Sequence, residues 1–474
     1  MSPKNAPAKN SVSIGVLVGA ALPLALYLSI ALIYLGLDKF HYLLVGGKKF
    51  ATFPNAASHL GISLSYVALV LLHLIWLLGS DRTREFPHFG SIIKRVAVFL
   101  VLAFAAYPLG NDVYLYLHSG LMNLSDVDPF TTQAGAFVSE LSPFVDWKQT
   151  STYGPVSQFL FTVSAATIQI HPVVAVYVFK SFCLVAHLLN GYLVWKISPV
   201  TERGKLAIAY LACPLLLLEQ VGSAHVDVFV CTSVLLLAGC LFKQRYAVAF
   251  LALWAGFLSK TVPIIWIPLL VLFLIRQQRW KQLLLGIVLS LLIATVLWQT
   301  ALPSVAAWRS LLNPGVIGQY QSSIHALIRA GLETAPFFIP DVPPPSQYKY
   351  PLLRLTQYTL LGFAAFYGWT GLRLLLRRSP ATAPHLLENM GWVTLVLMLY
   401  ATSWLMPWYV SVLYAIAAVI PNAHLFGLTT LMFGVSSSTI YWLQGDAGLR
   451  SLLVVGLPTL TLLVGARLLM AKND

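Results

Sequence analysis

Charge is scarce in this sequence: only 10% of its 474 residues are Asp, Glu, Lys or Arg. A water-soluble domain carries about 25% of its residues as charged groups, which keep its surface wet. A chain this poor in charge, with 58% hydrophobic residues, cannot coat such a surface. That excludes a soluble enzyme, a disordered chain and a fibrous one. Cysteine is also sparse. Cys183, Cys213, Cys231 and Cys240 fall inside apolar runs with no paired spacing, so they read as buried small hydrophobes and say nothing of redox compartment. Acids are the rarest charged class, 16 against 30 Lys and Arg. The resulting +14 net charge would suggest nucleic acid in a soluble protein. Here basic residues beside helix ends read as topology signals, and no nucleic-acid partner is expected.

What the chain has in abundance is apolar length. A helix rising about 1.5 Å per residue crosses the bilayer core with roughly 20 apolar residues. Residues 14–36, preceded by Lys4 and Lys9, are too long for a signal-peptide core and are expected to stay as the first span. Basic clusters mark the cytoplasmic side. They are Lys4/Lys9, Arg82/Arg84/Lys94/Arg95, Lys196/Arg203/Lys205, Lys243/Arg245, Arg276/Arg279/Lys281, Arg373/Arg377/Arg378 and Arg467/Lys472, together 19 of the 30 basic residues.

Placing all of them inside predicts an all-α, polytopic transmembrane protein of about 13–15 membrane helices. The spans fall near 14–36, 60–79, 96–110, 173–195, 205–220, 225–241, 246–259, 262–276, 281–300, 353–372, 390–404, 407–420, 423–441 and 450–468. That is fourteen crossings with both termini cytoplasmic. Residues 153–170 are apolar enough to cross, but a crossing there would invert every later cluster. They are expected to be re-entrant or to lie along the outer interface, with a full span left open. No internal repeat is evident, which weighs against a transporter built from inverted halves.

The expected organisation is N-terminal helices over 1–95, a central membrane module over 96–300, an outer loop over 301–352 and C-terminal helices over 353–474. The module carries a first outer loop, 111–152. The second loop is rich in proline, with Pro303, Pro314, Pro336, Pro340, Pro343, Pro344, Pro345 and Pro351. Long loops without regular structure are uncommon unless functional or disordered.

Five of the 16 acids, Asp112, Asp126, Asp128, Glu140 and Asp146, lie in the first loop. Asp112 follows directly on the apolar run 96–109, at the membrane boundary, where a carboxylate is costly unless used or paired. Asp227 lies in Gly222-Ser223-Ala224-His225-Val226-Asp227, between two apolar segments, with Glu219 about two turns before it. The bland alternative for these acids is solvation and helix capping. Lys260 ends a short span on the same face, and Lys180 lies in the outer half of another helix; an isolated intramembrane lysine is a candidate for an anionic head group, or else snorkels. Asp112, Tyr153, His225, Asp227, Lys260, the proline-rich loop and 404–409 all map to one side. An enzyme acting on a lipid-borne substrate would look like this, whereas a channel or pump strings polar residues along mid-span positions.

Certain of these residues resemble a known signature. Asn111-Asp112-Val113-Tyr114-Leu115-Tyr116, Gly120, Asp128-Pro129-Phe130, Trp147 and Thr152-Tyr153-Gly154-Pro155 resemble the first-loop pattern of GT-C glycosyltransferases. The resemblance is to the bacterial polyprenyl-phosphate-mannose-dependent α-mannosyltransferases in particular. His225-Val226-Asp227 is similar to the family's His-Asn-Asp stretch, and Leu258-Ser259-Lys260-Thr261 with Pro263 to its lysine-containing helix start. Weaker similarity continues at 403–409. This chain departs from the pattern at Asp128, where Asn is usual, at Val226, and at Leu117-His118-Ser119-Gly120, where Trp-Asp-Gly is common.

The resemblance implies a membrane glycosyltransferase that moves a hexose, mannose first, from a polyprenyl-phosphate carrier to a lipid or glycan acceptor. It would act in the bilayer of a bacterial plasma membrane, at the extracytoplasmic side. Asp112 would be the general base, held within reach of the acceptor hydroxyl. Tyr114, Tyr116, Asp128, Tyr153, His225, Asp227, Gln319, Tyr320, Trp404, Trp408 and Tyr409 are the candidates for sugar or acceptor binding. Lys260, Lys180, Arg309 and Arg329 are the candidates for the donor phosphate, whose departure needs cationic help. A divalent cation, magnesium or manganese, is left open. The aromatics at 404–409 also fit an interfacial belt. The rival readings are a flippase for a lipid-linked sugar and a non-catalytic membrane subunit.

Overall fold

A computed structural model of the chain describes residues 14–45, 56–80, 88–313, 318–334, 344–376, 381–441, 443 and 445–473. The basic residues Lys4, Lys9, Arg82, Arg84, Arg377 and Arg378 lie outside the described residues, as do Pro314, Pro336, Pro340 and Pro343. An apolar chain in lipid has no water to satisfy its backbone, so its N–H and C=O groups must pair within the segment. The described residues are accordingly helical, and their β-pairing is limited to one isolated bridge, Gln321 with Trp404.

The first helices are α1 (Ile14–Val45), α2 (Ala56–Gly79) and α3 (Phe89–Ala105). Two short helices follow on the expected outer side, α4 (Asp112–Leu124) and α5 (Pro155–Ala165). Next come α6 (Pro172–Ile197), α7 (Arg203–Leu211) and α8 (Pro214–Leu216), which runs into a π-helical turn, Leu217–Gly222. Then follow α9 (Asp227–Phe242), α10 (Tyr246–Phe257), α11 (Trp266–Arg276) and α12 (Trp280–Gln299). The second outer segment contains α13 (Val305–Leu312) and α14 (Ile324–Thr334). The chain closes with α15 (Pro344–Leu376), α16 (Ala383–Val396), α17 (Val410–Val419), α18 (His424–Ser437) and α19 (Ala447–Asn473).

Each of the fourteen expected spans coincides with a helical segment. Among the described residues, six are long and apolar enough to cross a bilayer alone: Val16–Leu37, Leu60–Gly79, Pro172–Ile197, Trp280–Gln299, Lys349–Leu376 and Ala447–Ala471. Arg203–Leu211 and Pro214–Gly222 form a pair bent by 43°, while Asp227–Phe242, Tyr246–Phe257, Val262–Arg276 and Pro407–Val419 are apolar but short. The short helices sit inside. α9 packs against α6, α10, α16 and α17, and its neighbours rather than lipid cover it, so it need not match the bilayer's thickness. α5 has 11 residues, about 16 Å of rise against a hydrocarbon core of about 30 Å. It is half a span, in keeping with a re-entrant or interfacial segment.

Two glycines explain how the first outer loop is seated. A Cβ on Gly120 would stand 2.3 Å from the Phe161 carbonyl oxygen, so only glycine lets α4 lie this close to α5. A Cβ on Gly154 would stand 2.3 Å from the Leu258 carbonyl oxygen. There the backbone N–H of Val156 donates to that same oxygen at 3.0 Å, and the Ser157 hydroxyl donates to the Ser259 carbonyl at 2.9 Å. Tyr153-Gly154-Pro155 is therefore clamped against Leu258-Ser259-Lys260, and the start of α5 is fixed to the turn after α10.

Candidate active site

Asp112 is the first residue of α4, where the helix's unsatisfied N–H groups favour a carboxylate. The residue before it, Asn111, donates from its side-chain amide to Asp146 Oδ2 at 3.0 Å, which ties the start of α4 to the far end of the first loop. The Asp112 side chain keeps 34% of its surface exposed, whereas His225 beside it keeps 1%. His225 Nδ1 stands 3.4 Å from Asp112 Oδ2, and its Nε2 stands 3.4 Å from Glu219 Oε2. The imidazole lies flat on Trp408, with ring centres 3.7 Å apart and planes 17° from parallel. One histidine thus joins two carboxylates drawn from separate elements.

The turn that presents His225 is irregular. It leaves the π-helical turn, and Ala224 adopts φ +59°, a left-handed conformation that costs a non-glycine residue about 1–3 kcal/mol. The His225 N–H donates to the Glu219 carbonyl at 3.0 Å and closes the turn. Lys180 braces it from α6. The ammonium is fully buried and donates to the backbone carbonyls of Gly222 (2.9 Å), Ala103 (3.5 Å) and Ala106. Lys180 was expected at the donor phosphate; its ammonium is instead spent on backbone oxygens, joining the end of α3 to the His225 turn.

Asp227 takes a partner of its own. Its two oxygens accept from Lys260 Nζ at 2.9 and 2.8 Å, and the Lys260 ammonium also lies 4.6 Å from the centre of the Tyr409 ring. Lys260 is 15% exposed and Asp227 only 3%. Tyr116 and Tyr153 meet edge to face with centroids 5.0 Å apart, and Tyr116 stacks on Phe161 at 4.7 Å. Burial pushes the Tyr153 phenol well above its ordinary pKa, and the Asp112 carboxylate pushes it the same way. The phenol therefore stays protonated beside the acid. Tyr114 is turned inward, with its hydroxyl 2.6 Å from that of Tyr107 and its ring stacked on Phe144.

The second outer segment reaches the same place. Gln321 N–H donates to the Ser403 carbonyl, and Leu405 N–H donates to the Gln321 carbonyl, both at 2.9 Å. The Ser323 hydroxyl adds a bond to the Ser403 carbonyl at 2.7 Å. Gln319 and Tyr320 are thereby held next to the strand-like stretch that carries Trp404 and leads into Trp408 and Tyr409. A second π-helical turn, Leu397–Ala401, feeds that stretch; such turns concentrate at functional sites. α13 is stitched in as well: Ser310 bonds to Thr150 and Ser151, and the Thr261 hydroxyl donates to the Leu311 carbonyl. Arg309 is on the exposed side of α13.

Two expected residues are otherwise engaged. Asp128 closes its own turn, accepting from the Phe130 N–H at 2.9 Å and the Thr131 hydroxyl at 2.8 Å. Arg329 pairs at 2.8 Å with Glu333 one helical turn on, both about half exposed. The residue that sequence reasoning left without a role is Glu219. Its only signal was a carboxylate inside an apolar run. Among the described residues, no group of three or more His, Cys, Asp or Glu side chains could hold a metal ion.

Parts of this chain resemble known proteins. Residues 26–276, more than half of the chain, match the family model described as alpha-(1->6)-mannopyranosyltransferase, N-terminal domain. The matched region includes Asp112, Glu219, His225, Asp227 and Lys260. Alpha-(1->6)-mannopyranosyltransferase A of Corynebacterium glutamicum is 27% identical over 158 residues, which cover 31% of this chain and 31% of that protein. No solved structure matches the chain. The chain belongs to the alpha-(1->6)-mannopyranosyltransferase family.

Proposed function

We propose that the protein is a membrane mannosyltransferase that takes mannose from a polyprenyl-phosphate carrier and passes it to a hydroxyl of a glycan or lipid acceptor. The observation that carries this reading is the convergence of a partly exposed carboxylate, Asp112, with the Asp227–Lys260 pair and the aromatic plates Trp408 and Tyr409. A base must reach the hydroxyl it deprotonates. Asp112 is anchored at a helix start yet open over a third of its surface, so it meets that need.

In the step, the acceptor oxygen attacks the anomeric carbon while its proton passes to an Asp112 oxygen. The bond from the anomeric carbon to the phosphate oxygen breaks, and the electron pair leaves with the polyprenyl phosphate. The growing negative charge on that phosphate needs a cation. Lys260 is partly exposed and is held in place by Asp227, so it is the first cation offered to the phosphate. Arg309 on α13 is the second cation offered to the phosphate. Tyr153, Trp408 and Tyr409 supply ring faces and hydroxyls of the kind that hold a sugar, whereas Tyr116, an expected member of that set, has no exposed surface and packs against Phe161 and Phe179. With the basic clusters read as cytoplasmic, the site would face the extracytoplasmic leaflet.

The test is transfer from a labelled short-chain polyprenyl-phosphate mannose to a mannoside acceptor by the purified protein. Asp112→Asn is expected to fold as wild type, to bind donor, and to lose transfer by a factor of about 10²–10⁴. Full transfer in that variant would remove Asp112 from its role.

A further inference from the structure

Glu219 is a buried carboxylate that the proposed step does not use. It sits on the π-helical turn with no exposed surface, and the polar side chains facing it all offer protons. The Tyr66 hydroxyl from α2 donates to Oε1 at 3.4 Å, and the Tyr441 hydroxyl, from the turn after α18, donates to Oε2 at 3.1 Å. His225 Nε2 completes the set, 3.4 Å from Oε2. Each of these three groups can donate to a Glu219 oxygen. Two tyrosines far apart in sequence hold the carboxylate in one place, and that place is behind the histidine that faces Asp112.

We infer that Glu219 is a positioning residue for the transfer reaction, acting on Asp112 through His225. The inference rests on the reading of Asp112 as base. Glu219 accepts the Nε2 proton of His225 and so fixes the tautomer, leaving the Nδ1 lone pair directed at Asp112. The Trp408 face and the closed turn at Ala224 keep the ring from swinging away. When the acceptor O–H bond breaks, the proton binds the Asp112 carboxylate, which then donates it in a hydrogen bond to Nδ1. The proton is afterwards released to water from the exposed edge of Asp112, and the array is restored. In the resting protein neither His225 nitrogen makes a hydrogen bond, although a carboxylate oxygen stands 3.4 Å from each; catalytic contacts are commonly poorly aligned before substrate tightens them.

The experiment uses the full chain and the labelled donor and mannoside acceptor named above. Glu219→Gln keeps the volume and replaces one of the two carboxyl oxygens with an amide nitrogen. It is expected to lower kcat by about 10- to 100-fold, as loss of an orienting partner does elsewhere, with both KM values and the melting temperature held. In a His225→Asn background the same change should cost nothing further, because the path to Asp112 is already cut; a merely structural glutamate would cost the same in both backgrounds. An equal loss in both backgrounds, or full kcat in Glu219→Gln while Asp112→Asn is inactive, overturns the inference and leaves the base assignment intact. Transfer retained by Asp112→Asn overturns both. If Glu219→Gln fails to fold, Tyr441→Phe reads the same question: a lower kcat at unchanged KM supports the inference, and an unchanged kcat overturns it.

Discussion

Asp227 and Lys260 form the tightest ion pair at the site, and their unequal burial separates two roles. The carboxylate is nearly enclosed while the ammonium has one side open. Breaking such a pair from the lysine side strands a buried charge, at a cost of about 3–5 kcal/mol. Lys260→Met is therefore expected to lower thermal stability sharply and to abolish transfer. Adding Asp227→Asn should restore much of the stability, since both charges are then gone, while transfer stays lost. Recovered transfer in the double variant, read against its melting curve, would show that Lys260 does no more than neutralise Asp227. The sequence singled out both residues without joining them: Asp227 begins α9, and Lys260 follows α10, 33 residues further on. Glu219 could not be assigned at all from sequence: its meaning depends on Tyr66 and Tyr441, each well over a hundred residues away.

Short elements seat the reacting groups, and small backbone distances set how they meet. The Tyr153-Gly154-Pro155 motif was legible as a signature, but its purpose is packing against the Leu258 carbonyl. Gly154→Ala must push α5 off the Lys260 turn, and overpacking of this kind costs about 1–3 kcal/mol. The expected result is a modest fall in melting temperature with a larger fall in transfer, because Tyr153 and Lys260 both shift. Gly120→Ala should act on stability with less effect on transfer, since it parts α4 from α5 below the site; comparing the two variants by calorimetry and by the labelled-donor assay checks the distinction. Lys180 shows where element-level reading from sequence ends. A lone lysine within an apolar helix signals something unusual, but no pattern says that its partners are three carbonyls at the ends of other segments.

Over the whole molecule, the apolar runs alone gave the helices their places, since lipid leaves the backbone no other conformation. Their lengths were less legible. Helices around the site are short or bent because protein surrounds them, and hydropathy does not separate burial in protein from burial in lipid. The charge threading makes a direct prediction about sidedness. Glu140 in the first loop and Lys243 after α9 are both exposed. Glu140→Cys should react with a membrane-impermeant maleimide in intact cells, and Lys243→Cys only after permeabilisation, against a background of native cysteines that are mostly buried. The reverse pattern would invert the whole arrangement.

The two π-helical turns extend this to length changes. Each holds one surplus residue relative to a regular winding, and removing it would let the chain close as a plain α-helix and erase the widened turn. A single deletion near Leu218 would flatten the turn that carries Glu219 and leads to His225, and one near Met398 would flatten the turn that leads to Trp408. Either would leave the hydropathy profile almost unaltered. Among proteins of this build, gaps should therefore be common in the loops and rare at these two points.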